Sequence, residues 1–215
     1  DGGGKPEKMP IPEEEKAKAE ELHKELIEAI ASNDETLMEK YFDKGELDED
    51  EMKNGLKKAM INHDLFPLFC LSAERNMGSG RLMGFIDNVC PSANEMPPQK
   101  SRSGETVTCD ASGPACIFIY KTISEPHVGE LSYFKVYSGT IKSGMELENE
   151  STGVTEKISQ LFMVEGNKRT ATNELVAGDI GATLKLKNTH TNNTLHTKGK
   201  NYELPSIEFP SPNMT

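Results

Sequence analysis

The stretch Lys135–Asn149, KVYSGTIKSGMELEN, places two tight turns between strand-like segments. Val136 and Tyr137 end one strand, Ser138 and Gly139 turn the chain, Thr140 and Ile141 bridge, and Lys142, Ser143 and Gly144 turn it again. Glycine suits both corners because it reaches positive φ without a Cβ clash, so short strands can reverse within a few residues. Further along, Ala177-Gly178-Asp179-Ile180-Gly181-Ala182 leads into the alternating run TLKLK and then the polar turn THTNNTL. Everything from Ala115 onward reads the same way: strands are expected over 115–123, 130–138, 145–150, 154–164, 180–187 and 202–209, with Gly-containing or Asn-rich turns between most of them. Regular short strands with such turns predict a closed barrel, which removes exposed edges. Ile117, Ile119, Val136, Ile158, Leu161, Ile180 and Leu184 are expected to point into its core.

Upstream the pattern becomes helical. From Glu13 to Ala31, Leu22, Leu26 and Ile30 recur at four-residue steps with Ala19 and Ile27 beside them, one apolar stripe on a charged helix. Asp34 is placed to cap a second helix bearing Leu37, Met38, Tyr41 and Phe42 and ending near Gly45, and Asp48 with Glu51 reads as an acidic capping box opening a third. Residues 65–71, LFPLFCL, form a continuous apolar strand candidate of the kind buried in a parallel α/β sheet, although Pro67 argues against a fully paired central position. Ser72-Ala73 follows, then the turn ERNMGSG and a helix from about Gly80 to Cys90, ended by Pro91. Residues 92–114, rich in Pro and Gly, read as an interdomain connector, which gives domains at 1–91 and 115–210.

Composition excludes several classes. The 215 residues are 35% hydrophobic and 27% charged, ordinary for a globular protein, and no apolar run approaches the roughly 18–20 residues needed to cross a bilayer. The net charge of −11 is uneven: residues 1–70 carry 19 acids against 10 bases, and 71–215 carry 16 against 14. A polyanion is therefore repelled from the first third and neither attracted nor repelled by the rest. Asp1 stands where a start Met would, and no signal peptide is legible, so a segment of a longer cytoplasmic protein is expected. Cys70, Cys90, Cys109 and Cys116 form no C-x-x-C pair, and Cys70 and Cys116 sit in apolar runs where a thiol acts as a small buried hydrophobe; no metal site is expected. Of the scattered histidines His23, His63, His127, His190 and His196, the last two flank a polar turn, where a surface role is expected.

Catalytic motifs are absent from the sequence. It has no G-x-x-x-x-G-K-[ST] phosphate loop and no N-K-x-D guanine-reading string, the nearest being Asn167-Lys168-Arg169. It also lacks G-x-S-x-G, H-E-x-x-H and a paired-carboxylate pattern, so no catalytic residue is expected in this chain.

The turn-rich run at 135–149, followed in order by AGDIGA, TLKLK and THTNNTL, resembles domain II of translational GTPases, most closely elongation factor G. Upstream, LMEKYFDKGELDEDEMKNGLKKAMINHDLFPLFCLSA resembles the helix, acidic turn, helix and strand of the insertion carried by that family's GTPase domain. The resemblance implies an α/β remnant, comprising insertion helices plus the last strand and helix of a GTPase domain, followed by an all-β translation-protein barrel. It implies a segment of a GTP-dependent ribosomal translocation factor whose barrel docks on small-subunit ribosomal RNA and against the GTPase domain. GTP and Mg²⁺ would belong to the parent protein, with no cofactor in this segment. Ser72 and Ala73 would be a guanine-binding remnant, and Lys135, Lys142, Lys157, Lys168 and Arg169 candidate phosphate contacts. Two departures, Asn192-Asn193 where the family more often has Gly-Asp and ERNMGSG after Ser72-Ala73, leave a ribosome-protection or release-factor-like paralogue as the alternative. A stand-alone β-barrel interaction module using its acidic helices is a further alternative.

Overall fold

The computed structural model describes residues 9–126, 129–166 and 168–211; His127, Val128, Asn167, the first eight positions and those past 211 lie outside the described residues. The chain divides into two compact units, Asp1–Pro91 and Ser92–Thr215.

The first unit is built of α1 (Glu13–Ala31), α2 (Glu35–Lys44), α3 (Glu49–Ile61) and α4 (Ser79–Val89). Three glutamates in the first turn of α1 face the positive end of its dipole. Of its apolar stripe, Ile27, Ile30 and Ala31 are buried, whereas Leu22 and Leu26 stay exposed. The Asp34 carboxylate caps α2 by accepting from the amides of Thr36 and Leu37. The expected capping box opens α3: Asp48 accepts from the Glu51 amide at 2.9 Å and the Glu51 carboxylate accepts from the Asp48 amide at 2.9 Å. Gly55 of α3 lies where a Cβ would meet Ile30 Cγ2 at 2.5 Å and Leu37 Cδ1 at 2.8 Å, so the missing side chain lets three helices close on one another. The Lys58 ammonium, bonded to the Asp34 carboxylate and assisted by the Thr36 hydroxyl, holds that carboxyl well below the usual range.

Residues 65–71 do not form the expected strand. No ladder includes them, and the pairing next to them is a single bridge between Ser72 and Met77. Pro67 lacks an amide hydrogen, and no strand lies beside the segment among the described residues of this unit. Phe66 and Leu68 are consequently 76% and 92% exposed, and Cys70 is exposed rather than buried. Phe69 does find a partner, meeting Phe85 of α4 edge-on at 4.9 Å.

Among the described residues the second unit holds twelve strands: β1 (Gln99–Lys100), β2 (Thr106–Val107), β3 (Cys116–Glu125), β4 (Gly129–Ser138), β5 (Thr140–Lys142), β6 (Glu146–Asn149), β7 (Thr155–Lys157), β8 (Leu161–Glu165), β9 (Lys168–Thr172), β10 (Glu174–Val176), β11 (Ile180–Leu184) and β12 (Thr194–His196). Eight of them make one antiparallel ladder in the order β7-β6-β12-β3-β4-β11-β8-β9. Leu147 of β6, Ile117 and Ile119 of β3, Phe134 and Val136 of β4, and Leu161 of β8 share one buried cluster although their strands are far apart in that order, so the sheet curls around it. The end strands β7 and β9 share no ladder; β5 and β10 pair separately, and from the turn after β5 Ser143 donates to the Asn173 carbonyl at 3.0 Å and Gly144 to the Ile158 carbonyl at 2.6 Å. Those two bonds tie the turn after β5 to the segments that follow β9 and β7, but among the described residues no ladder closes the curled sheet into the expected barrel. Gly139, with φ of +76°, is needed at its corner, because a Cβ there would sit 2.6 Å from the Ala115 Cα.

Three expectations need correction. Ile180 is 52% exposed and Leu184 belongs to a second cluster with Leu131 and Ala182, because both lie on the outer face of β11, whose Gly181 and Thr183 oppose Phe134 and Ser132. Residues 202–209 form no strand; Tyr202 and Leu204 instead run as an extended strap buried against Val107, Cys116 and Phe118, with Leu204 donating to the Thr194 hydroxyl at 3.0 Å. Residues 92–114 cluster with the second unit, Arg102 donating to the Glu203 carbonyl at 2.8 Å.

Candidate nucleic-acid interface

The strands carry the five basic candidates to scattered places. Lys157 lies on β7 at one end of the ladder, directly opposite Glu146, while Lys168 lies on β9 at the other end, opposite Glu165. Lys142 faces Glu174 across the β5–β10 pair, with Nζ 3.9 Å from its carboxylate. Arg169 is bonded to the Glu125 carboxylate at 2.7 Å, both side chains being largely covered. Lys135 faces Phe118 on β3 and Ile180 on β11, with no acid opposite it in the ladder, and its ammonium rests 5.2 Å from the centre of the Tyr137 ring. Lys168 and Arg169 are adjacent on β9.

A second lysine–tyrosine contact accompanies it. Lys121 stands opposite Tyr133, with its ammonium 5.7 Å from the ring centre, and Tyr120 lies 6.4 Å from the same ring. Burial pushes the Tyr120 and Tyr137 hydroxyls above their ordinary pKa. Reasoning from basic residues alone missed Lys121 and the tyrosines; the signal was in the alternation of β4, where Leu131, Tyr133, Lys135 and Tyr137 share the face away from the core.

The Ser72–Ala73 segment is closed on itself. Ser72 donates its amide to the Met77 carbonyl at 3.0 Å and receives the Met77 amide at 2.9 Å, and Asn76 donates to the Ala73 carbonyl at 3.1 Å. A base contact here would fall to the Ser72 hydroxyl and the exposed Ala73 backbone.

The turn 187–193 shows how this chain accommodates its departure from Gly-Asp. Asn192 takes φ of +76°, a conformation asparagine tolerates better than most residues, and its amide side chain exchanges hydrogen bonds with the Ile207 backbone. Asn193 Oδ1 accepts from the His190 amide at 2.8 Å, the role an aspartate would fill. The Glu156 carboxylate fixes the other side, accepting from the amides of Lys187 at 3.0 Å and Asn188 at 2.5 Å and from the Thr189 hydroxyl at 3.2 Å.

His190 is exposed as expected, but His196 is fully buried, its Nε2 2.7 Å from Glu150 and its Nδ1 3.0 Å from the Thr197 carbonyl. All four cysteines are free thiols, and desolvation pushes the buried Cys116 up to about 12. Among the described residues no group of three His, Cys, Asp or Glu side chains is placed to hold a metal, and no helix is long and apolar enough to cross a membrane.

Residues 114–198, which contain this ladder and its turns, match the family model for elongation factor G domain 2. That segment is similar to domain 2 of elongation factor G. A crystal structure of a protein from Thermus thermophilus superposes with a TM-score of 0.78 at 26% identity, over 98% of this chain and 30% of that one. The elongation factor G likeness thus covers residues 114–198 within the second unit, while the Thermus likeness runs through both units.

Proposed function

We propose that this chain is part of a longer GTP-dependent ribosomal translocation factor, in which the elongation factor G domain 2 docks on small-subunit ribosomal RNA. The observation that carries the reading is the domain 2 match over 114–198 together with a solved structure that follows the whole chain while extending well beyond it. The first unit is the carboxyl-terminal part of the GTPase domain, and Ser72 and Ala73 are its contribution to the guanine site. The sequence has no phosphate loop, so in this reading GTP and Mg²⁺ are held, and GTP is hydrolysed, by the longer protein in the cytoplasm.

Co-sedimentation of the longer protein with ribosomes, with GTP turnover measured alongside, tests the proposal. Binding that weakens as salt rises, with turnover stimulated by ribosomes, is expected. A longer protein that neither sediments with ribosomes nor turns over GTP in their presence overturns it.

A further inference from the structure

The outer face of the β3-β4-β11-β8 portion of the ladder is apolar and aromatic where a barrel exterior is ordinarily polar. Tyr133 of β4 lies opposite Lys121 of β3 and Ala182 of β11, and Ala182 lies opposite Phe162 of β8. Beneath them Leu131, Ala182 and Leu184 form a buried floor, against which Tyr133 and Phe162 pack while remaining half-buried. Two rings are therefore held in place by packing yet open to solvent. Lys121 and Lys135 stand at this face, each with its ammonium at a tyrosine ring and neither with an acid opposite in the ladder. The nearest charged pair along the face, Arg169 with Glu125, is already neutralised.

We propose that this face is a stacking platform for single-stranded RNA, with bases on Tyr133 and Phe162 and phosphates on Lys121 and Lys135. The naming of RNA rests on the function proposed above; the platform itself rests on the geometry. Aromatic side chains on a sheet accept bases of any sequence, and nearby cations supply the electrostatic part of the affinity. A base arriving on Tyr133 displaces the Lys121 ammonium from the ring, and the freed ammonium takes the flanking phosphate. The two cations fit a polyanion, and the rings favour one that carries bases over an acidic peptide, whose carboxylates would gain the cations but leave the rings unused.

The chain has no tryptophan, so tyrosine emission is visible and is quenched when a base stacks. Titrating the 215-residue chain with a short unstructured oligoribonucleotide at low salt should quench that emission. Read by anisotropy of the same oligoribonucleotide carrying an end label, Tyr133→Ala should weaken binding about tenfold, and Tyr133→Phe should bind as the parent chain does. The pair Lys121→Gln with Lys135→Gln, which does not touch the packed floor, should lower the slope of log affinity against log salt by about 1.4, two single-strand phosphates at about 0.7 each. Lys142→Gln with Lys168→Gln, both opposite acids, should leave the slope unchanged. Absence of quenching, or a slope that responds to Lys142 and Lys168 but not to Lys121 and Lys135, overturns the platform. The two proposals fail separately: ribosome binding by the longer protein that Tyr133→Ala and the Lys121/Lys135 pair both leave intact removes only the platform. Quenching by the oligoribonucleotide without ribosome binding by the longer protein removes only the translocation factor.

Discussion

Replacing Gly139 and Gly144 by alanine, one at a time, separates two costs that look identical in the sequence. Both residues turn the chain with positive φ, +76° and +84°. At Gly144 nothing lies within 4 Å of an added Cβ, so the only cost is conformational. The left-handed penalty of about 1–2 kcal/mol is partly offset by a loss of unfolded-state freedom, leaving about 1 kcal/mol. At Gly139 the added Cβ would lie 2.6 Å from Ala115 Cα, 2.7 Å from Ala115 N and 2.8 Å from the Gly113 carbonyl. All three atoms are backbone and cannot rotate away, and Gly139 is tied in place by its own amide to the Asp110 carbonyl at 2.8 Å and by the Ala177 amide to its carbonyl at 2.9 Å. Relieving the overlap means moving one of those segments, which adds about 1–3 kcal/mol. Gly139→Ala should therefore cost about 2–4 kcal/mol in total. Urea unfolding followed by near-ultraviolet circular dichroism reads the right unit, since Tyr120, Tyr133, Tyr137 and Tyr202 all lie in it and only Tyr41 does not. If the two variants unfold within about 0.5 kcal/mol of each other, Ala115 does not lie against Gly139 and the packing of that corner is misread.

Leu195→Ala empties a fully buried position in the main core and should cost about 2–5 kcal/mol, whereas Ile180→Ala, at a half-exposed outer position, should cost less than about 1 kcal/mol; similar losses in urea unfolding would contradict the assigned faces. Glu150→Ala leaves the buried Nε2 of His196 without its carboxylate and should destabilise the second unit by about 1–3 kcal/mol, and an unchanged unfolding midpoint would show that the pair contributes nothing. Because Lys58 and Thr36 lower the Asp34 pKa in the folded state, that carboxylate contributes stability above its ordinary value of 3.8 and loses it as pH falls below that value. Thermal unfolding of wild type and Asp34→Asn should accordingly differ at neutral pH and converge in acid, and a gap that stays constant down to low pH would refute the assignment.

Where local chemistry decides structure, the sequence was readable. Asp34, the Asp48–Glu51 box and the Gly139 corner act within a few residues, and each does what its residue types require. Where the outcome depends on a distant neighbour, it was not. The apolar run 65–71 has the composition of a buried strand, but a strand exists only with a partner, and none lies beside it in the described unit. The face taken by Ile180 and Leu184 is set by the register of β11 against β4, and with a side-chain period of two a shift by one residue exchanges the core face for the outer one. His196 read as exposed because its sequence neighbours are polar, yet β12 lies inside the ladder between β6 and β3, where its ring is enclosed.

The same dependence on cross-strand neighbours governs the candidate site. Choosing lysines and arginines by type treats each as an independent cation, but in an antiparallel ladder the residue opposite is as close as any in the chain. Arg169 is paired with Glu125, Lys142 lies 3.9 Å from Glu174, and Lys157 and Lys168 stand opposite Glu146 and Glu165 in the ladder, so an acid neighbours each of those four cations. Lys121 and Lys135 face rings and aliphatic side chains instead, and a ring attracts a cation far more weakly than a carboxylate does. An incoming phosphate therefore competes against a carboxylate at four positions and against a tyrosine face at two. Among these six cations that difference favours the two at the outer face of β3 and β4, on the strands whose half-buried tyrosines can also accept a base.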